Sequence, residues 1–446
     1  MTNLLKINKF FLIFLIFFAY VKESFGAYLI RDTETEDYVR TILDEILIVA
    51  EIQPKTVKLY ILKDDSMNAF VYGGPNVFIN TGLIQSAENY EVIQAVLAHE
   101  IGHLKAMHIL RFNSNVNKAL LEALFYSVSA GLLAIGGGPA AASIVALSVG
   151  ANVAEKSVLK YTRAQEMEAD YYAAKFLKTL QSSGKGAEQI FEKFEKMQIK
   201  AVDFKKEDEY RITHPFPKDR LAYMKSQFAN LPYKPKFSEK LNERHQFITA
   251  KLGGYFGNLQ SIYSKEFFQN EKAALYFHIF SDFRKANLSD AESKMKSLLK
   301  SDSLNPYFYE SLGEIYFAKG DFNNAILNYE KANKLKPKKF NILFAIAESY
   351  FANKNFSLAI KFMNEAFIVE PYNPLVPYKL ANYHDAKMEN EVAKIYFIES
   401  EILRENYSKA NLLFKNLMSD LKEKNVKLDG FYLKKIDDIK DVLSRK

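Results

Sequence analysis

Residues 92–103 read Val-Ile-Gln-Ala-Val-Leu-Ala-His-Glu-Ile-Gly-His, an apolar run that closes on His99, Glu100 and His103. On a helix, positions i and i+4 share a face, so both imidazoles can reach one ion. Imidazole suits Zn²⁺, and Glu100 flanks the same face, where it can take a proton without touching the metal. Val92, Ile93, Ala95, Val96 and Leu97 place the motif on a buried helix. His and Glu buried there without a metal or a partner would be costly.

Two histidines do not close a catalytic site, so a third protein ligand is required. The segment Thr162 to Asp170 (TRAQEMEAD) crowds several carboxylates on one helix, with Glu166 and Asp170 four apart and hence on one face. One of them can bind the metal while the other orients the ligands. Spacing alone also leaves open a solvated acidic turn beside Lys160 and Arg163.

Around this pair the chain reads as follows. Residues 28–52 carry a helical apolar period (Val39, Ile42, Leu43, Ile46, Leu47), and Lys55 to Leu62 alternates as a strand does. Asn68 to Asn80 reads as two short strands broken by Gly73, Gly74 and Pro75, with Val77 to Asn80 extended and open to an added substrate strand. Helix is predicted over Leu83 to Ser86, Asn89 to Leu110, Val158 to Thr179 and Ala187 to Gln198, and a loop at His214-Pro215-Phe216-Pro217. Residues 119–154 are an apolar stretch split at Gly136 to Pro139. Glu122 interrupts its first half, so a helical hairpin packed on the protein is preferred to a membrane span, with membrane-surface contact as the alternative.

Beyond about residue 268 the pattern changes to a period of 34: Ala291, Ala325, Ala359 and Ala393 are equally spaced, as are Pro337 and Pro371, and Tyr316 and Tyr350. This is the period of the tetratricopeptide repeat, an antiparallel helix pair with small residues at its crossings. A degenerate unit starts near 269, and residues after 405 read as a cap.

The 446 residues exceed one ordinary core, and with 48% hydrophobic and 25% charged residues the composition is globular. A net charge of +7 without a dense basic stripe gives no reason to invoke nucleic acid. Cysteine is absent, so disulfides and thiolate zinc sites are excluded and any metal must use His, Asp or Glu. Lys6 and Lys9 before the apolar run Phe10 to Ala19, then Ser24, Phe25, Gly26 and Ala27, read as a cleavable signal peptide, with an uncleaved membrane anchor as the alternative.

HEIGH followed about 60 residues later by EMEAD resembles the HtpX-like and BepA-like zinc peptidases, as do the upstream NAFVYGGPNVFINTGLI and the downstream THPFPKDR. The order of signal peptide, peptidase and repeats is similar to the BepA-type periplasmic members. The resemblance implies an α+β zincin-like metallopeptidase domain, mainly helical with a small sheet, and an all-α tetratricopeptide-repeat solenoid behind it. With the Pro-, Lys- and Phe-rich stretch 227–240 read as the edge of the first domain, the chain divides into a signal peptide (1–26), peptidase domain (27–240), linker (241–268) and repeats with a cap (269–446). The resemblance implies one Zn²⁺ per chain held by His99, His103 and Glu166, with Glu100 as catalytic base and Asp170 in support. Thr162 stands where the family commonly has Ser.

His214, on a loop stiffened by Pro215 and Pro217, is expected to reach the open metal position with Arg220 anchoring that loop to the acidic helix. There it would act as an oxyanion stabiliser or as a removable fourth ligand. His108 lies well around the helix from the ligand face and reads as structural; His278 and His384 read as helix-packing or surface residues of the repeats, and His245 is assigned nothing. The expected function is an exported endopeptidase that hydrolyses peptide bonds in misfolded or misassembled envelope proteins. Its repeats would recruit protein substrates or, by the resemblance, outer-membrane proteins and their assembly machinery. The alternatives are a chaperone-like repeat adaptor with a gated or idle site, and an integral membrane protease spanning the bilayer through 119–154.

Overall fold

Alternation along β2 (Lys58–Lys63) sends its side chains to two faces of a mixed sheet that also contains β1 (Tyr28–Ile30), β3 (Ala69–Val71) and β4 (Asn76–Asn80). These belong to a computed structural model that describes residues 28–108, 161–200, 218–257 and 270–446. The N-terminal segment read as a signal peptide, the apolar stretch 119–154 and the loop of His214 lie outside the described residues.

The strand order is β1-β2-β4-β3, with β2 and β4 parallel and the outer pairs antiparallel. Ile61, Val77, Ile79, Ala69 and Val71 face the main core, whereas Tyr60, Phe70 and Phe78 pile up on the other side with rings 4.9–5.1 Å apart. The order corrects one expectation. Val77 to Asn80 is the inner strand β4, hydrogen-bonded on both sides, so it has no backbone groups left for an added strand. Among the described residues the edge next to the helices is β3.

Helix α1 (Thr33–Val49) covers the sheet's core face with Val39, Ile42, Leu43, Ile46 and Leu47, as its period requires. A short α2 (Thr81–Ser86) leads to α3 (Tyr90–Lys105), capped by the Asn89 side chain. Every residue of α3 from Tyr90 to His103 is buried, so this helix runs through the core rather than over it. It ends at Lys105, short of the expected Leu110, because Met107 adopts φ +57° and reverses the chain. The His108 N–H donates to the His103 carbonyl and the Met107 N–H to that of Leu104, the paired bonds of a Schellman close.

Helix α4 (Arg163–Thr179) starts at a capping box: Thr162 Oγ accepts from the Gln165 N–H and the Gln165 side chain accepts from the Thr162 N–H. Thr serves this position much as Ser does. Helices α5 (Lys185–Lys200) and α6 (Lys218–Phe228) complete the surround of α3 and α4.

Within the stretch expected as a linker, 241–268, the described residues form helix α7 (Glu239–Phe256), capped by Ser238, and end at Gly257. Ile248 and Leu252 belong to the main core beside the sheet while Ala250, on the opposite face, belongs to the core of the repeats. His245, fully buried, accepts from Tyr38 Oη at 2.8 Å and donates to the Ala87 carbonyl at 2.9 Å, and burial lowers it to about 4. A Cβ at Gly254 would stand 2.5 Å from the Phe277 carbonyl oxygen, so the glycine is what lets α7 lie against α8 (Glu271–Arg284).

After α8 come α9 (Leu288–Ser301), α10 (Pro306–Ala318), α11 (Phe322–Leu335), α12 (Phe340–Ala352), α13 (Phe356–Val369), α14 (Leu375–Ala386), α15 (Asn390–Leu403), α16 (Tyr407–Glu423) and α17 (Gly430–Ser444), each packed on the next or next but one. Ala291, Ala325, Ala359 and Ala393 are all buried, each on the second helix of a pair.

The start of α1 is clasped by these repeats. Arg31 forks onto Glu370 (2.6 and 3.2 Å), Asp37 meets Lys336, Lys339 and Tyr307, and Thr33 donates to Glu310. Lys251 of α7 pairs with Asp32 and Glu34. Burial pushes the Glu310 carboxyl up to about 8, opposed by Lys251 and helped by the charges of Asp32 and Glu314. An unfolded Glu titrates near about 4.3. Between that value and about 8 the folded chain binds the extra proton, so this group's contribution to stability falls as pH rises through the window. Glu310→Gln is therefore expected to flatten the loss and to exceed wild type in stability at about pH 8.5, with little difference near pH 4. Urea unfolding at the two pH values measures it; an equal slope in both proteins would remove Glu310 as the cause.

Candidate metal centre

The two imidazoles of α3 and one carboxylate of α4 meet in the core between the two helices. His99 Nε2 stands 3.1 Å from His103 Nε2, and the Glu166 oxygens lie 3.4 Å from each. Among the described residues this is the one His/Asp/Glu group close enough to hold a metal ion. Four ligands arranged tetrahedrally at about 2.0–2.1 Å are separated by about 3.3 Å, close to the 3.1 Å between the two nitrogens and the 3.4 Å from each nitrogen to its own Glu166 oxygen. Two neutral imidazole nitrogens and one carboxylate are also the donor chemistry that suits zinc. The residues present thus fit the metal.

What allows α4 so close is Gly102. A Cβ there would sit 2.5 Å from the Ala169 carbonyl oxygen, so the position that looks like filler in HEIGH is where the two backbones cross. On α4, Glu166 and Asp170 face α3 with almost no exposure.

Asp170 Oδ1 accepts from His99 Nδ1 at 2.9 Å, which leaves the Nε2 lone pair directed at the centre. Arg220 of α6, fully buried, donates from Nε to Asp170 Oδ2 (2.6 Å) and from Nη2 to Asp170 Oδ1 (2.9 Å), and its Nη1 forms an ion pair with Glu166 Oε2 at 2.6 Å. Its guanidinium also lies 5.3 Å from the centre of the Phe191 ring of α5. Burial would raise the Asp170 carboxyl, but Arg220 and His99 hold it below its ordinary value. Burial would lower His99; the hydrogen bonds and charges of Asp170 and Glu166 outweigh it and hold the imidazole up to about 9. The cluster is electrostatically a place for positive charge.

Glu100 is fully buried one residue from His99 and outside the donor trio. The Tyr161 ring stacks on His103 at 3.8 Å, a contact that nothing in its sequence neighbourhood announces beyond its place before Thr162. His99, Glu100, His103, Glu166, Asp170 and Arg220 are thus brought to one place, with Arg220 holding the carboxylates themselves. The expected anchoring of the His214 loop by Arg220 involves residues outside those described.

Residues 33–227 match peptidase family M48, and residues 299–354 match the TPR repeat. The chain is 22% identical over 357 residues to a beta-barrel assembly-enhancing protease of Yersinia pestis, covering 78% of this chain and 72% of that one. It is 22% identical over 325 residues to the protein of that name from Escherichia coli, covering 71% and 65%. A shorter stretch of 71 residues is 34% identical to a mitochondrial metalloendopeptidase of Schizosaccharomyces pombe, 16% of this chain and 21% of that one. Residues 33–227 are therefore a peptidase family M48 domain, that of a metallopeptidase, and tetratricopeptide repeats follow it.

Proposed function

We propose that the chain is a zinc endopeptidase, exported to the periplasm, that cleaves misfolded or misassembled envelope proteins while its repeats recruit substrate or partner. The observation that carries the reading is the convergence of His99 Nε2 and His103 Nε2, 3.1 Å apart and each 3.4 Å from one of the two Glu166 oxygens, beside the buried Glu100. His99, His103 and Glu166 would hold one zinc ion, which supplies a Lewis acid that acidifies water and polarises a carbonyl. Glu100 takes the proton of the attacking water and returns it to the leaving amine. Asp170 holds the His99 tautomer, and Arg220 keeps Asp170 ionised and holds both it and Glu166 in place.

An extended substrate pairs with the edge of β3, which has a strand on one side among the described residues. His214 completes the site from its proline-bounded loop, either as oxyanion stabiliser or as removable fourth ligand. No helix among the described residues is long and apolar enough to cross a membrane. The names of the relatives support outer-membrane barrel assembly as the setting, with protein partners met through the repeats.

Zinc content and hydrolysis of an unfolded protein such as casein, followed before and after chelation, test the reading. About one zinc per chain is expected, with activity that disappears on chelation and returns with zinc. Activity indifferent to chelation would overturn it, and full activity and metal affinity in His214→Ala would remove that residue alone.

A further inference from the structure

Each imidazole that faces the centre must present Nε2 unprotonated, so each must carry its proton on Nδ1 and place it somewhere. For His99 the acceptor is Asp170. For His103 the atom at hydrogen-bond distance is another imidazole: His103 Nδ1 and His108 Nδ1 are 2.9 Å apart. His108 in turn has its Nε2 at 3.1 Å from Glu168 Oε2.

The two contacts determine each other. If His108 donated through Nδ1, His103 would have to accept there and would carry its proton on Nε2, pointed at the other two donor atoms. If His103 donates, His108 accepts at Nδ1 and keeps its own proton on Nε2, where the Glu168 carboxylate receives it. Only the second arrangement frees His103 for a cation, and a carboxylate at the far end favours it. The geometry points to His108 and Glu168 as a positioning pair for His103, an imidazole-extended counterpart of the direct contact between Asp170 and His99. This rests on the zinc reading above and adds two residues to it.

The chain is built to make the contact. Five residues along a continuous helix would carry His108 away from His103. The left-handed Met107 folds the backbone over, and the His108 N–H closes on the His103 carbonyl at 3.0 Å. The side chain then lies under the ring it serves, with centroids 5.2 Å apart, and is only 7% exposed. Glu168 stands two residues from both Glu166 and Asp170 on α4. One turn of that helix thus sends a carboxylate to the centre, a second to His99 and a third to His108.

The test is zinc affinity of the full chain, measured by competition with a chromogenic chelator and using zinc alone as the probe. It is read beside the thermal midpoint of the metal-free protein. His108→Leu is expected to weaken zinc binding about 10–100-fold with the metal-free midpoint unchanged. His108→Gln, whose amide can accept from His103 and donate to Glu168, is expected to recover most of that loss. Glu168→Gln should fall between them. Wild-type affinity in His108→Leu would overturn the inference, as would a Gln variant no better than Leu or a loss that follows a lowered metal-free midpoint. Absence of zinc binding in wild type is a different failure: it would overturn the metal reading itself and this inference with it.

Discussion

Glu100→Gln is expected to keep about one zinc per chain and to lose peptidase activity by about 10²–10⁴-fold, the usual contribution of a positioned general base. The amide has the size of the carboxylate and removes a buried negative charge, so folding should not suffer. The three donor atoms belong to His99, His103 and Glu166, so the metal should stay. Metal content and casein hydrolysis, measured side by side on both proteins, separate the cases. Zinc in both with activity in wild type alone supports Glu100 as the base. Zinc in both with activity in neither points to a gated or scaffolding site, and wild-type activity in the variant would take the role from Glu100 altogether.

Arg220→Met is expected to cost about 3–5 kcal/mol in the metal-free protein, because it strands two buried carboxylates that share one counter-charge. Arg220 has no exposure and makes contacts of 2.6, 2.6 and 2.9 Å to Asp170 and Glu166, so water cannot replace it. Zinc should restore part of the loss, since a ligand that binds the native state stabilises it. The gap between metal-free and zinc-loaded thermal midpoints should accordingly be wider in the variant. Lys225 and Glu192, a pair at 3.1 Å with both side chains more than 40% exposed, form the control, where breaking the contact should cost under about 1 kcal/mol. Equal effects at the two places would mean that the buried guanidinium does not carry the cluster.

Much of this was legible in the chain. Apolar period and i, i+4 spacing placed His99 and His103 on one buried face, and Glu166 and Asp170 on another. A period of 34 residues announced helix pairs, because small residues must recur wherever two helices cross closely. The features that escaped were those set by single backbone positions or by partners distant in sequence. A left-handed methionine ends α3 early, and no local preference marks Met107 for that conformation. Val77 to Asn80 alternates like any strand, and only the neighbours on both sides make it an inner one. No sequence signal marks Gly254 as the point where the Phe277 backbone crosses.

Helix α7, which packs into both cores, also bears on how such a chain could be inherited. Ile248 and Leu252 complete the peptidase core, and Ala250 between them completes the first layer of the repeats. A recombination event that exchanged one repeat array for another after residue 240 would take a wall of the catalytic half with it, His245 included. The joint that evolution can cut lies beyond Phe256, so the repeats can be lengthened or replaced only behind a helix that both halves own.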